Sequence, residues 1–124
     1  MKIQESAEDY LEAILHLSKT KEFVRSIDVV HHLGYSKPSV SVYLKNLRVN
    51  GYIDVNSEGH ITLTESGMAI AARIDQRHEM LANILMQLGV SRDVAYEDAC
   101  GMEHHLSDES FNALKNYFEK HGKI

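Results

Sequence analysis

The chain has 124 residues, a length that suits one compact domain or two very small ones. Hydrophobic residues make up 44% and charged residues 25%, an ordinary globular composition that excludes a disordered, collagen-like or low-complexity chain. Thirteen Lys+Arg against eighteen Asp+Glu give a net charge of -5, which taken whole argues against nucleic acid, because affinity for phosphate rests on Lys and Arg.

Cys100 is the only cysteine, so an intrachain disulfide is excluded and nothing calls for an oxidising compartment. The opening Met1-Lys2-Ile3-Gln4-Glu5-Ser6 turns polar where a signal peptide needs an apolar stretch. No apolar run approaches the ~20 residues of a membrane span. A soluble, cytoplasmic protein with no membrane partner is expected.

From Ala7 to Thr20 apolar residues recur at Tyr10, Leu11, Ile14, Leu15 and Leu17, opposite an edge carrying Asp9, Glu12 and His16, which predicts an amphipathic helix. Ser26 as a capping residue and Gly34 as a stop bracket a short second helix. A third begins at Ser36, with Pro38 in its first turn and a buried stripe of Val40, Leu44 and Leu47. Helix, tight turn and helix form the outline of a helix-turn-helix. Gly51-Tyr52-Ile53-Asp54-Val55 and His60-Ile61-Thr62-Leu63-Thr64 alternate about the turn residues Asn56-Ser57-Glu58-Gly59, predicting a β-hairpin that makes the module a winged helix.

Beyond Thr64 the pattern changes. Ile70, Ile74, His78, Leu81, Leu85 and Leu88 form a seam up to Gly89, a long helix suited to packing on another helix, as from a second subunit. Ser91 caps a further helix to about Leu106, and Ser107-Asp108-Glu109 starts a last one carrying Phe111, Leu114, Tyr117 and Phe118. The expected architecture is mainly α with a small β-hairpin wing: an N-terminal winged helix-turn-helix over 1–64 and an all-helical dimerisation domain over 65–124.

Charge is distributed unevenly between them. Between Lys19 and Asn50 the balance is +4, and the remainder of the chain carries -9. A basic excess on a helix-turn-helix is the footprint of DNA contact, although a solvated basic face looks the same in isolation. The front of the recognition helix enters the major groove, so the candidate DNA contacts are Arg25, Ser36, Lys37, Pro38, Ser39, Ser41, Tyr43 and Lys45. The hydroxyls and lysines anchor phosphate more than they specify sequence, and Pro38 serves helix initiation, with a thymine methyl as a second use.

Cys100, Glu103 and His104 are spaced i, i+3, i+4, which places a thiol, a carboxylate and an imidazole on one helix face. All three are metal ligands; the alternative is a half-buried cysteine beside a solvated Glu-His pair. His78 occupies a seam position where the pattern calls for an aliphatic residue. Asp9 and Glu12 offer two further oxygens, or are simply the wet edge of the first helix.

The segment from Glu97 to Glu109 (EDACGMEHHLSDE), with Arg77-His78-Glu79 upstream and Glu8-Asp9-Tyr10-Leu11-Glu12 at the front, resembles the DtxR/MntR family of metal-dependent transcriptional repressors across essentially the whole chain. The resemblance implies metal ligands at Asp9, Glu12, His78, Cys100, Glu103 and His104. It also marks a hybrid. The manganese-responsive branch has the Asp and Glu of the first helix but a glutamate where this chain has Cys100; the iron-responsive branch has the cysteine but a methionine in place of Asp9. The iron branch's ancillary site falls on Ala82 and Tyr96, which implies its absence, and the family's SH3-like domain is expected to be missing.

Carboxylates and imidazole suit Mn²⁺ and Fe²⁺ alike, whereas a thiolate tilts the preference to Fe²⁺, with Mn²⁺ next and Co²⁺, Ni²⁺ or Zn²⁺ as tighter binders in vitro. Six ligands hold one ion or two. The expected function is a homodimeric repressor that binds operator DNA when Fe²⁺ or Mn²⁺ is abundant and shuts off metal-uptake genes. A rival is a winged-helix regulator that senses an oxidant or small molecule through Cys100. A small metalloenzyme is disfavoured by the lack of a separate nucleophile or phosphate-binding loop, and it leaves the winged helix without a purpose.

Overall fold

The computed structural model describes residues 5–121. In chain order they form α1 (Glu5–Thr20), α2 (Ser26–Leu33), α3 (Lys37–Val49), β1 (Ile53–Val55), β2 (Ile61–Leu63), α4 (Glu65–Gln87), α5 (Arg92–His105) and α6 (Asp108–His121). The chain divides into two compact units, one through Arg73 and one from Ile74, so that α4 contributes to both.

In the first unit the apolar stripe of α1 supplies Tyr10, Leu11, Ile14, Leu15 and Leu17 to a cluster completed by Val24, Val29, Val40, Leu44, Leu47, Ile53, Ile61 and Ala71. Leu11, Val29, Val40 and Ile53 are fully buried. Each such aliphatic side chain stabilises the fold by about 1.5–3 kcal/mol. The start of α2 departs from expectation. Ser26 is its first helical residue and Arg25 is the N-cap, with the Asp28 carboxylate accepting the Arg25 backbone N–H at 2.9 Å. An acidic side chain three residues into the helix satisfies the orphan donor, so a hydroxyl at the cap is not required.

Gly34 takes φ 75° and donates its N–H to the Val30 carbonyl at 2.8 Å, closing α2 with a left-handed residue. Ser36 then caps α3 by accepting from the Ser39 N–H at 3.3 Å, with Pro38 in the first turn. These two devices hold the turn between the helices tight.

The hairpin pairs Ile53 with Leu63, Asp54 with Thr62 and Val55 with Ile61. Asn56 Oδ1 accepts the N–H groups of Glu58 and His60, both at 2.9 Å, which shapes the turn. One pairing has no precursor in the local pattern: Ile61 donates its N–H to the Val24 carbonyl at 2.7 Å, adding an antiparallel bridge outside the two strands. At the base of the wing, Thr64 Oγ1 donates to the Gly51 carbonyl at 2.7 Å and accepts the Gly67 N–H at 3.2 Å. A side chain at Gly67 would run into the Tyr52 carbonyl, so α4 leaves the hairpin in direct backbone contact.

The second unit packs Leu81 and Ala82 of α4 against Ala95 and Ala99 of α5, with Leu85, Met86, Val90, Tyr96, Leu106, Phe111 and Leu114 around them. The small alanines let the helix backbones approach closely. The predicted seam ends early: α4 stops at Gln87, Gly89 takes φ 103° and Leu88 is exposed.

Candidate DNA-binding face and metal centre

The residues proposed for DNA lie on the first unit. Ser36, Lys37, Pro38, Ser39, Ser41 and Lys45 are all exposed on α3 or its cap. Lys37, Ser41 and Lys45 recur at i, i+4, i+8 and therefore form one stripe, which Arg48 extends. A groove lined by Ser26, Ser41, Leu44, Lys45, Arg48, Val55, Gly59 and Ile61 runs between this stripe and the wing. Val42 is 62% exposed on the same helix, an apolar side chain of the kind that contacts thymine methyl groups. Nothing in the core periodicity marks it, but its position outside the Val40, Leu44 and Leu47 stripe is the available signal.

Tyr43 differs from its neighbours. Its ring stacks on Tyr10 with centroids 4.5 Å apart and is half-buried, so its aromatic face serves the core. Burial, and after it the neighbouring Tyr35 and Tyr43, hold the Tyr10 phenol above the ordinary tyrosine range.

Arg25 is exposed, but its guanidinium lies 3.1 Å from His60 Nε2. Arginine only donates, so His60 Nε2 accepts, while Nδ1 on the other side of the ring faces Glu58 Oε2 at 3.6 Å and the Asn56 amide nitrogen at 3.5 Å. The buried His60 ring also stacks on Phe23 at 4.1 Å. Arg25 is thus tied to the wing. The backbone N–H of Arg25, with the Lys21 ammonium 3.4 Å away, keeps the Asp28 carboxyl below its usual range.

Asp9 and Glu12 are on α1, half-buried and buried, with Glu12 Oε2 3.8 Å from His16 Nε2. In the second unit, α5 carries Cys100, Glu103 and His104. Cys100 is half-buried, whereas the side chains of Glu103 and His104 are only 5% and 4% exposed, with Glu103 Oε2 3.2 Å from His104 Nδ1. His78 reaches the same helix from α4, where its Nε2 lies 2.9 Å from the Tyr96 carbonyl. A carbonyl only accepts, so Nε2 carries the proton and Nδ1 the lone pair; a metal-ligating histidine is commonly oriented by such a bond. Tyr96 is one turn before Cys100, which places the His78 ring along the stretch of α5 that carries Cys100, Glu103 and His104.

The Tyr96 hydroxyl donates to Glu79 Oε2 at 2.7 Å, and this bond raises the tyrosine above its ordinary range. Tyr96 therefore cross-links α4 and α5 through hydrogen bonds.

A buried carboxylate is costly to leave uncompensated. Here it sits beside a buried imidazole, with a thiol on the same helix and an oriented histidine on the neighbouring one. This nitrogen, oxygen and sulfur donor set fits a divalent transition-metal cation. Sequence spacing missed Arg77, whose partners are distant in sequence. Arg77 is buried, donating from Nη1 to Asp108 Oδ1 at 2.8 Å and from Nη2 to the Leu106 carbonyl at 2.7 Å.

Two family models match the chain: the N-terminal DNA binding domain of iron dependent repressors over residues 2–61, and the metal binding and dimerisation domain of the same repressors over residues 64–122. The transcriptional regulator MntR of Escherichia coli O157:H7 is 37% identical over 119 residues, covering 96% of this chain and 77% of that protein. The HTH-type transcriptional regulator MntR of Bacillus subtilis strain 168 is 34% identical over 118 residues, covering 93% and 83%. A solved manganese-dependent transcriptional repressor in complex with manganese matches with a TM-score of 0.81 at 26% identity, over 91% of this chain; the chain spans 52% of that one. These relatives are transcriptional regulators, not enzymes, and no helix among the described residues is long and apolar enough to cross a membrane. Two domain matches in sequence order and this level of identity make the chain a member of the DtxR/MntR family of metal-dependent transcriptional repressors.

Proposed function

We propose that the protein is a cytoplasmic, homodimeric repressor that binds operator DNA when Fe²⁺ or Mn²⁺ is abundant and shuts off metal-uptake genes. The observation that carries this reading is the buried Glu103–His104 pair on the helix that carries Cys100, with His78 bonded to the Tyr96 carbonyl of that helix, in a chain whose other unit presents an exposed basic helix. The assigned ligands are Asp9, Glu12, His78, Cys100, Glu103 and His104. Arg25, Ser36, Lys37, Pro38, Ser39, Ser41 and Lys45 are assigned to DNA, with Tyr43 contributing through the packing of its helix.

A divalent cation supplies positive charge and a fixed coordination geometry. Asp9 and Glu12 belong to the DNA-binding domain, assigned to 1–64, and the other four ligands to the domain assigned to 65–124. Ligation by all six therefore favours one arrangement of the two domains over others, and in a two-fold dimer it fixes recognition helices to half-sites about one helical turn apart. Neutralised carboxylates also repel the DNA backbone less. The solved manganese-dependent repressor that the chain resembles speaks for manganese. The softer thiolate of Cys100 speaks for Fe²⁺, which is the ion we assign, with Mn²⁺ as the second activator.

A mobility-shift titration of operator DNA with Fe²⁺ under anaerobic conditions, and with Mn²⁺, tests the reading. Metal-dependent binding that is lost in Cys100→Ala/Glu103→Ala is the expected result. Equal operator affinity with and without metal at one salt concentration would refute the switch.

A further inference from the structure

A metal site binds more tightly when its ligands are held in place before the ion arrives. Arg77 immediately precedes His78 on α4, and its side chain is 9% exposed. Its guanidinium lies over the Phe111 ring, 4.7 Å from the centroid, while its two terminal nitrogens reach the Leu106 carbonyl and Asp108 Oδ1. Leu106 follows the last residue of α5, two positions after His104, and Asp108 opens α6. A single planar group therefore fastens α4 to the end of one helix and the start of the next. From the adjacent residue, His78 Nε2 donates to the carbonyl of Tyr96. The two attachments bracket the stretch of α5 that carries Cys100, Glu103 and His104.

We propose that Arg77 is a positioning residue of the metal centre, holding the C-terminal end of α5 so that Glu103 and His104 keep a set distance from His78. The inference rests on the metal-site reading above. It explains why an arginine is buried beside a histidine in an otherwise apolar seam. It also gives the Leu106-Ser107-Asp108 run a role: Leu106 and Asp108 accept from Arg77, and Ser107 Oγ accepts the Ser110 N–H at 3.1 Å at the head of α6. Lysine cannot reproduce this arrangement, because a point ammonium lacks the fork that reaches two acceptors at once.

The test is a Co²⁺ titration of the full chain followed by ligand-field absorption, at a temperature where circular dichroism shows each variant folded. Arg77→Met keeps the packing on Phe111 and removes both hydrogen bonds. It is expected to weaken Co²⁺ binding about tenfold and to change the intensity of the absorption bands, in line with residues that orient metal ligands. Arg77→Lys restores this only in part. Asp108→Asn, which preserves the Leu106 contact, gives a smaller loss and serves if Arg77→Met does not fold. Wild-type affinity and spectrum in the folded Arg77→Met or, failing that, in both Arg77→Lys and Asp108→Asn, overturn the proposal whatever happens to the melting temperature. If the unaltered protein and Glu103→Ala are alike in giving no Co²⁺ spectrum, the metal-site reading itself falls, and the inference with it.

Discussion

The two units are stabilised by different chemistry. The first is organised around large aliphatic side chains from every one of its elements, among them Leu11, Ile14, Val29, Val40 and Ile53. The second has a smaller cluster of Leu81 and three alanines, and its interior also takes in Arg77 and Glu103. Among the described residues the buried polar residues are Glu12, His60, Arg77 and Glu103, and the His104 side chain is buried beside Glu103. Three are assigned as metal ligands, one is proposed to position them and one secures the wing. Buried polarity in this protein follows function, and the unit with less apolar core is the one expected to gain most from a bound cation.

That contrast can be broken by mutation. The largest effect is expected from Leu11→Ala, which opens a cavity in the first unit and costs about 3 kcal/mol, read as a lower denaturant midpoint by the same amount with and without metal. A metal-dependent cost would show that the first unit also leans on the cation. Next, Glu103→Ala removes an assigned ligand and a buried carboxyl group together. Metal affinity is expected to fall on the order of a hundredfold or more. Stability of the apo protein should change little by comparison, because the substitution removes a costly buried carboxylate together with its contact to His104. Calorimetry with and without Mn²⁺ separates the two, and a large loss of apo stability would count against the contrast.

Smaller effects belong to the surface of the first unit. Lys45→Ala is expected to weaken operator binding at all sequences and to reduce the salt dependence of log K by about one, as for the loss of one phosphate contact. Asp28→Ala leaves the Arg25 N–H without its acceptor and is expected to cost about 0.5–1 kcal/mol at neutral pH. Because the folded carboxyl is held below its ordinary range, its contribution is full above that range and disappears as pH falls through the lowered value. The variant and the parent should therefore converge in acid.

Most of the fold is legible in the sequence because its elements are helices with clear periodicity, bounded by Gly34, Pro38 and Gly89. The hairpin is equally legible from Asn56 to Gly59. The cap of α2 is not, since Asp28 replaces a hydroxyl acceptor that local rules place at Ser26. The candidate ligand helix can be recognised from the spacing of Cys100, Glu103 and His104. The bonds that orient it, from His78 to Tyr96 and from Arg77 to Asp108, join residues 18 and 31 positions apart, and no local pattern encodes them. The place of Tyr43 on the recognition helix points to DNA, whereas its stacking on Tyr10 depends on how α1 and α3 meet.

The bridge from Val24 to Ile61 bears on how the protein searches DNA. With a third segment hydrogen-bonded to β2 at its turn end and Arg25 held by His60, the wing is held in place by the body of its own unit. Fixing a backbone residue costs roughly 1–2 kcal/mol of conformational entropy, and for this loop that cost falls on folding instead of on association. Recognition of the duplex then resembles the docking of a shaped surface, with encounter speed set by the charge of α3 and little delay for induced ordering.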